Sequence, residues 1–172
     1  MSIAGATARA AKPPLIVGIS ELIMSDVPDD TIITYSLGSC IGVSLYDPLL
    51  KIGGLIHCML PLSTGEPERA ADKPCMYVDT GMTKFLQELF NRGVQRKNIL
   101  CRVAGGGSPH DDNGVFRIGE RNYSVLRKIL WKNNILIKGE LVGGNDPKTM
   151  VLDMASGRTF IRLNGKNELE LK

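Results

Sequence analysis

The chain is poor in several features whose absence narrows its function. No stretch approaches the run of about 18 or more apolar residues that crosses a membrane as a helix, so direct membrane insertion is not expected. Aromatic residues make up only 5% of its 172 residues, and its 21 basic and 18 acidic side chains form no long single-sign block. That leaves little material for stacking bases or tracking phosphates, so nucleic acid is not an expected partner. The opening "MSIAGATARAAKPP" lacks the apolar centre of a secretory signal. Cysteine is limited to Cys40, Cys58, Cys75 and Cys101, irregularly spaced and too few for a disulfide framework. A cytoplasmic location with free thiols is the expectation, and each thiol then needs its own explanation. Histidine is scarcer still, with His57 and His110 alone.

What is present is ordinary globular material, 43% hydrophobic and 23% charged, of a length that buries roughly two thirds of its unfolded surface in one core. Residues 1–13, Ala-rich and ending in Pro-Pro, are expected to form a flexible arm, and residues 14–172 a single domain. "LIVGISELIM" and "TIITYSLG" are β-branched runs divided by the turn-rich "SDVPDD". They predict two strands, followed by a hairpin of "CIGVSLYD" and "GGLIHCMLP". "STGEPERAADKPC" has no usable period and predicts an exposed loop. Met82, Phe85, Leu86, Leu89 and Phe90 fall on one stripe and predict a helix over 79–92, with Asp79 or Thr80 able to cap its start and Gly93 to end it. "NILCRVAGGG" predicts a strand, and Val125, Leu126, Ile129 and Leu130 a second helix over 120–132. Three further strands follow, "ILIKGELVGG", "TMVLDM" and "RTFIRL", with Ser156-Gly157 as a hairpin turn. This mixture predicts an α+β fold with mixed or antiparallel sheets and flanking helices.

The chemistry concentrates around "TYSLGSC". A nucleophilic cysteine needs a donor-rich setting and a histidine to move protons, and such pairing can lower a thiol pKa by several units. His57 follows Cys40 by 17 positions, a step that a hairpin can close. Strand alternation turns Cys58 to the face opposite His57, which makes Cys58 a packing thiol. Gly38 and Ser39 give a turn able to present consecutive N–H groups as an oxyanion site, and Thr34, Ser36 and Ser39 are the hydroxyls near enough to orient an imidazole. A buried cysteine that merely packs is the competing reading.

Three other patterns fit poorly with ligands. Gly105-Gly106-Gly107 lacks the Lys-Ser/Thr ending of a phosphate loop. His110, Asp111 and Asp112 are adjacent and loop-borne, and a zinc set of Cys40, His57, Cys58 and Cys75 fails on strand alternation. No metal or cofactor is expected.

Taken in order, "TYSLGSC", "YDP", "GGLIHCMLP", "AGGG" and "IGERN" resemble the chemoreceptor glutamine deamidase family CheD over about residues 15–163. The resemblance implies an α/β layered sandwich, similar to the catalytic domain of the cytotoxic necrotizing factor toxins. It also implies Cys40 as nucleophile, His57 as base and Thr34 as third member, acting through a thioester on glutamines of methyl-accepting chemotaxis receptors. A CheC-type phosphatase is the regulatory partner it suggests, with a purely regulatory binding module as the alternative. Near the late Gly-Gly the chain carries Leu141 and Lys148 where the family usually has an acidic residue and an arginine, a departure expected to bear on contact with substrate or regulator.

Overall fold

The computed structural model describes residues 11–109, 115–165 and 167–172. His110, Asp111 and Asp112, and most of the expected N-terminal arm, lie outside them. Lys12 forms an ion pair with Asp30, whose other carboxylate oxygen accepts from Ser25 Oγ at 2.5 Å.

Among the described residues, ten strands form two five-stranded sheets. The first run of apolar residues, expected as one strand, is two: β1 (Leu15–Val17) and β2 (Glu21–Ser25). Between them Ser20 takes a left-handed conformation, φ 66°, and the two strands enter different sheets. The first sheet runs β1, β3 (Thr31–Leu37), β8 (Lys148–Asp153), β9 (Thr159–Leu163) and β10 (Asn167–Leu171). The second runs β2, β5 (Ile52–Cys58), β4 (Ile41–Asp47), β6 (Leu100–Gly105) and β7 (Ile137–Val142). Pairing is antiparallel except for β1 with β3 and β6 with β7. The expected hairpins are present as β4–β5 and β8–β9, the latter turning at Gly157 with φ +70°. β10, "NELEL", was not anticipated, because its charged residues hide an edge strand from hydrophobic patterning.

The described residues add three α-helices: α1 (Pro67–Asp72), α2 (Val78–Asn91) and α3 (Ile118–Lys132). α2 and α3 lie within a residue or two of their predicted spans, and their stripes explain why. Met82, Phe85, Leu86 and Leu89 of α2 and Leu126 and Leu130 of α3 are buried together with Ile41, Val43, Leu45, Ile56 and Cys58. α1 corrects the expected loop: Pro67 opens it, and its one buried residue, Ala70, packs on Met76, Tyr77 and Leu60. A single apolar contact per turn leaves no period to read. Neither Asp79 nor Thr80 is the cap expected of them: α2 begins one residue earlier, after Tyr77, which has no side-chain capping bond, and Asp79 in the first turn accepts from Thr80 N at 2.8 Å and from Ser63 N at 3.0 Å, tying the preceding loop to the helix.

The core has two storeys. Odd positions of β4 face the helices, whereas Tyr46 of β4, Leu55 of β5, Ile32 and Leu37 of β3, and Met150 and Leu152 of β8 fill the space between the sheets. The architecture is sheet on sheet with helices outside the second sheet, the α+β arrangement expected.

Gly105 illustrates how tightly one corner is closed. Its φ is +101°, and a Cβ there would stand 2.2 Å from the Cys40 carbonyl oxygen. Gly93 has a similar φ, +87°, with open space around it. Gly93→Ala is expected to cost about 1 kcal/mol, the backbone contribution alone. Gly105→Ala adds a backbone clash and is expected to cost well over about 2 kcal/mol. Urea midpoints of the two variants check this, and equal losses would contradict the close approach.

Candidate active site

Thr34 lies in β3 of the first sheet and His57 in β5 of the second, and both side chains point into the space between. Thr34 is 0% and His57 1% exposed. Thr34 Oγ1 stands 2.8 Å from His57 Nδ1 and 2.8 Å from the Val17 carbonyl of neighbouring β1. A hydroxyl has one hydrogen, and a carbonyl can only accept it. Thr34 therefore donates to Val17 and accepts from Nδ1–H, which fixes the imidazole tautomer and leaves the Nε2 lone pair bare. Nε2 is buried with no hydrogen-bond partner. Among the three hydroxyls considered from sequence, the structure gives this contact to Thr34. The register of β3 breaks between Thr34 and Leu37, with Ser36 at φ 58°. The irregularity lets both Thr34 and Leu37 face inward although they are three residues apart.

Past Leu37 the chain crosses from the first sheet to the second through Gly38, Ser39 and Cys40. Cys40 is the one cysteine of the four that is not buried, and it packs at the edge of the inter-sheet cluster. Gly42, two residues on, is the residue opposite His57 in the β4–β5 ladder. With no side chain at Gly42, the inter-sheet face beside His57 is left open towards Cys40, which stands one residue outside β4 and makes no hydrogen bond to the imidazole. Cys58 lies on the helix side with Ile56, as alternation requires, and burial raises its pKa well above the ordinary thiol value.

The turn that carries Cys40 is held from behind. Gly106 N donates to the Cys40 carbonyl and Gly107 N to the Gly38 carbonyl, both at 2.8 Å, and Asn122 Nδ2 donates to the Ser39 carbonyl at 2.9 Å. The glycine triplet is thus a clamp on the cysteine turn, with donors of Gly106 and Gly107 committed to carbonyls. A second layer follows: Ser108 N donates to Gly144 O at 3.0 Å, and Gly143 N to Gly105 O at 2.9 Å. Lys148 closes the stack, donating to Gly143 O at 2.6 Å and Asp146 O at 3.2 Å while only 4% exposed. Leu141 packs against the inter-sheet core. Of the two positions expected to bear on a substrate or regulator, Leu141 is partly buried and Lys148 is internal, holding the turn that backs the glycine clamp. Asn122 was not singled out from sequence, since an asparagine inside a helical stripe carries no signal until its partners are known.

Burial pushes the His57 pKa down to about 4, and burial also raises that of Cys40, against a smaller lowering by its own backbone N–H directed at the sulfur. At neutral pH the resting pair is a neutral thiol and a neutral imidazole. The histidine does not depress the thiol pKa as pairing alone would suggest. A neutral imidazole with a bare Nε2 lone pair is able to accept a proton. Beside the turn, Ser39, Gly107, Ser108, Pro109, Phe116 and Ile118 line a cleft of about 220 Å³. A larger depression of about 580 Å³, between α3 and β7, contains none of these groups. No set of three or more His, Cys, Asp or Glu residues able to hold a metal occurs among the described residues.

The depressed His57 pKa has a consequence for stability. An unfolded chain takes up the imidazole proton near pH 6.5, the folded one only near 4. The stabilising contribution is full above 6.5 and is lost as pH falls to about 4, a total of about 3 kcal/mol. His57→Gln is expected to flatten that part of the pH profile in urea titrations; an unchanged slope would contradict the buried neutral imidazole.

The sequence pattern of the family described as CheD chemotactic sensory transduction matches residues 59–163. "Probable chemoreceptor glutamine deamidase CheD" of Solibacter usitatus is 46% identical over 90% of this chain and 91% of its own. "Probable chemoreceptor glutamine deamidase CheD 1" of Syntrophus aciditrophicus is 42% identical over 88% and 94%. Among solved structures, the hypothetical protein YfiH of Bacillus licheniformis superposes on 67% of this chain and 47% of its own, with a TM-score of 0.44 and 13% identity. No helix among the described residues is long and apolar enough to cross a membrane.

Proposed function

The chain belongs to the CheD family, and from that premise we propose that it is a cysteine-dependent protein-glutamine deamidase acting on chemotaxis receptors. In this reading Cys40 is the nucleophile, His57 the base and Thr34 the group that orients the imidazole. The observation that carries it is the Val17–Thr34–His57 hydrogen-bond relay, which leaves Nε2 as a bare acceptor in the inter-sheet layer against which Cys40 packs.

The reaction then proceeds as follows. Cys40 Sγ attacks the side-chain carbonyl carbon of a glutamine as its proton passes to His57 Nε2. Negative charge on the amide oxygen is met by backbone N–H groups of the Gly38–Ser39–Cys40 turn, of which the Cys40 N–H already points at the sulfur. A preorganised donor of this kind is worth about 3 kcal/mol of barrier. Imidazolium gives its proton to the departing nitrogen, ammonia leaves and a thioester remains. Water, deprotonated by the same Nε2, attacks the thioester carbon; glutamate is released and the thiol regains its hydrogen. The buried imidazolium formed in each half-reaction is stabilised by the Thr34 oxygen at Nδ1–H.

A cytoplasmic address and association with a CheC-type phosphatase belong to the same proposal. The binding-module alternative has less support, because a chain kept only for docking has no need of a buried, tautomer-fixed histidine.

Incubation with cytoplasmic receptor fragments is expected to produce the roughly one-dalton gain of Gln-to-Glu conversion. Cys40→Ala and His57→Ala are expected to abolish it, Thr34→Val to lower kcat by about tenfold to a hundredfold, and Cys58→Ala to change it little. Undiminished conversion by Cys40→Ala would overturn the assignment. With a base titrating near 4, kcat/KM is expected to hold level between pH 7.5 and 5.5; a fall centred near 6.5 would mean that His57 is not the buried neutral base described.

A further inference from the structure

The antiparallel ladder between β4 and β5 ends with Ile41 opposite Cys58. The next pair outward would be Cys40 and Met59. It does not form, because Met59 and Leu60 both donate their backbone N–H to Met76 O at 2.9 Å. That draws the end of β5 towards the turn before α2, and the strands part at the residue that carries the sulfur. One side chain spans the opening. Asn122, near the start of α3 and 0% exposed, donates from Nδ2 to Ser39 O at 2.9 Å and to Met59 O at 3.1 Å. Both partners only accept, so the carboxamide has a single possible orientation. Its Oδ1 is then buried with no hydrogen-bond partner, an unfavourable arrangement that an aliphatic side chain of similar size would avoid. The position therefore serves the two donors rather than packing.

On the reading of Cys40 and His57 given above, we propose that Asn122 is a positioning residue for the reaction. Its two amide hydrogens hold the carbonyl just before Cys40 and the carbonyl two residues after His57 at a fixed separation. They set the approach of sulfur to Nε2 where strand pairing no longer does. Asn122 touches neither the substrate nor a reacting atom.

A misplacement of about 1 Å can cost about a hundredfold in rate. Asn122→Leu, which fills the space without donors, is expected to lower kcat for receptor-fragment deamidation about a hundredfold, with KM changed by less than about threefold. Asn122→Ser, which keeps one donor, is expected to fall between the two. The discriminating measurement is alkylation of Cys40 by iodoacetamide in the free protein. In wild type, His57→Ala is expected to slow it; in the Asn122→Leu background the same change is expected to make little further difference, since the base is already out of reach. A purely structural role predicts that the two effects multiply. Multiplicative effects, an unchanged kcat, or loss of the fold in both Asn122 variants would overturn the proposal. Alkylation requires no receptor, so the two readings fail separately. Absence of deamidation by wild type counts against the enzymatic function, whereas normal kcat in the Asn122 variants, with Cys40→Ala inactive, counts against the positioning role alone.

Discussion

The hydrogen bond from His57 Nδ1 to Thr34 Oγ1 is the contact that fixes the candidate site across the two sheets. It is a contact between sheets, made where the inner faces of β3 and β5 meet. It has direction because the Val17 carbonyl takes the only hydroxyl hydrogen. Each participant is placed by a different structural necessity: Val17 by the parallel pairing of β1 with β3, Thr34 by the break in register that follows it, and His57 by its central position between β2 and β4. Nothing in the relay is exposed, so the tautomer is settled without competition from solvent.

The sulfur is treated differently. Its turn is held by its carbonyls, each taken by a donor from outside the turn: Asn122 takes that of Ser39, and the other two go to a glycine triplet that must approach to within the space of a methyl group. Side chains are excluded there because the turn itself occupies their volume. The turn from Gly143 to Lys148 supports the triplet in its turn, and the buried ammonium of Lys148 finds its partners among that turn's carbonyls. The result is a turn pinned at every carbonyl beneath a partly exposed thiol. Burial also keeps thiol and imidazole uncharged at rest. A neutral thiol is a slow nucleophile until a base takes its proton, so on the proposed reading the reactivity of Cys40 depends on its access to Nε2.

How much of this was legible beforehand varied with the kind of signal. The two long helices were readable because their apolar stripes repeat with the helical period, and the β4–β5 hairpin because its runs alternate. The separation of His57 from Cys58 followed from alternation alone. Other features had no period to show. Gly18 to Ser20 divides one apolar run between two sheets; α1 buries one alanine; β10 is an edge strand whose side chains are mostly charged. Lys148 was misjudged for another reason: lysine is ordinarily a surface residue, and only the inward turn of carbonyls reveals that its charge is satisfied internally.

By itself, then, the order of residues determined the α+β class, the principal elements, the candidate trio of Cys40, His57 and Thr34, and the family to which they point. These rest on local periodicity and on motifs contiguous enough to be read along the chain. The tertiary structure decided which hydroxyl meets the imidazole, which nitrogen carries the proton, the electrical neutrality of the resting pair and the hydrogen-bond partners of Gly105–Gly107, Asn122 and Lys148. Each depends on groups distant in sequence brought within hydrogen-bonding reach, and on the removal of water between the sheets, neither of which has any signature in a one-dimensional pattern.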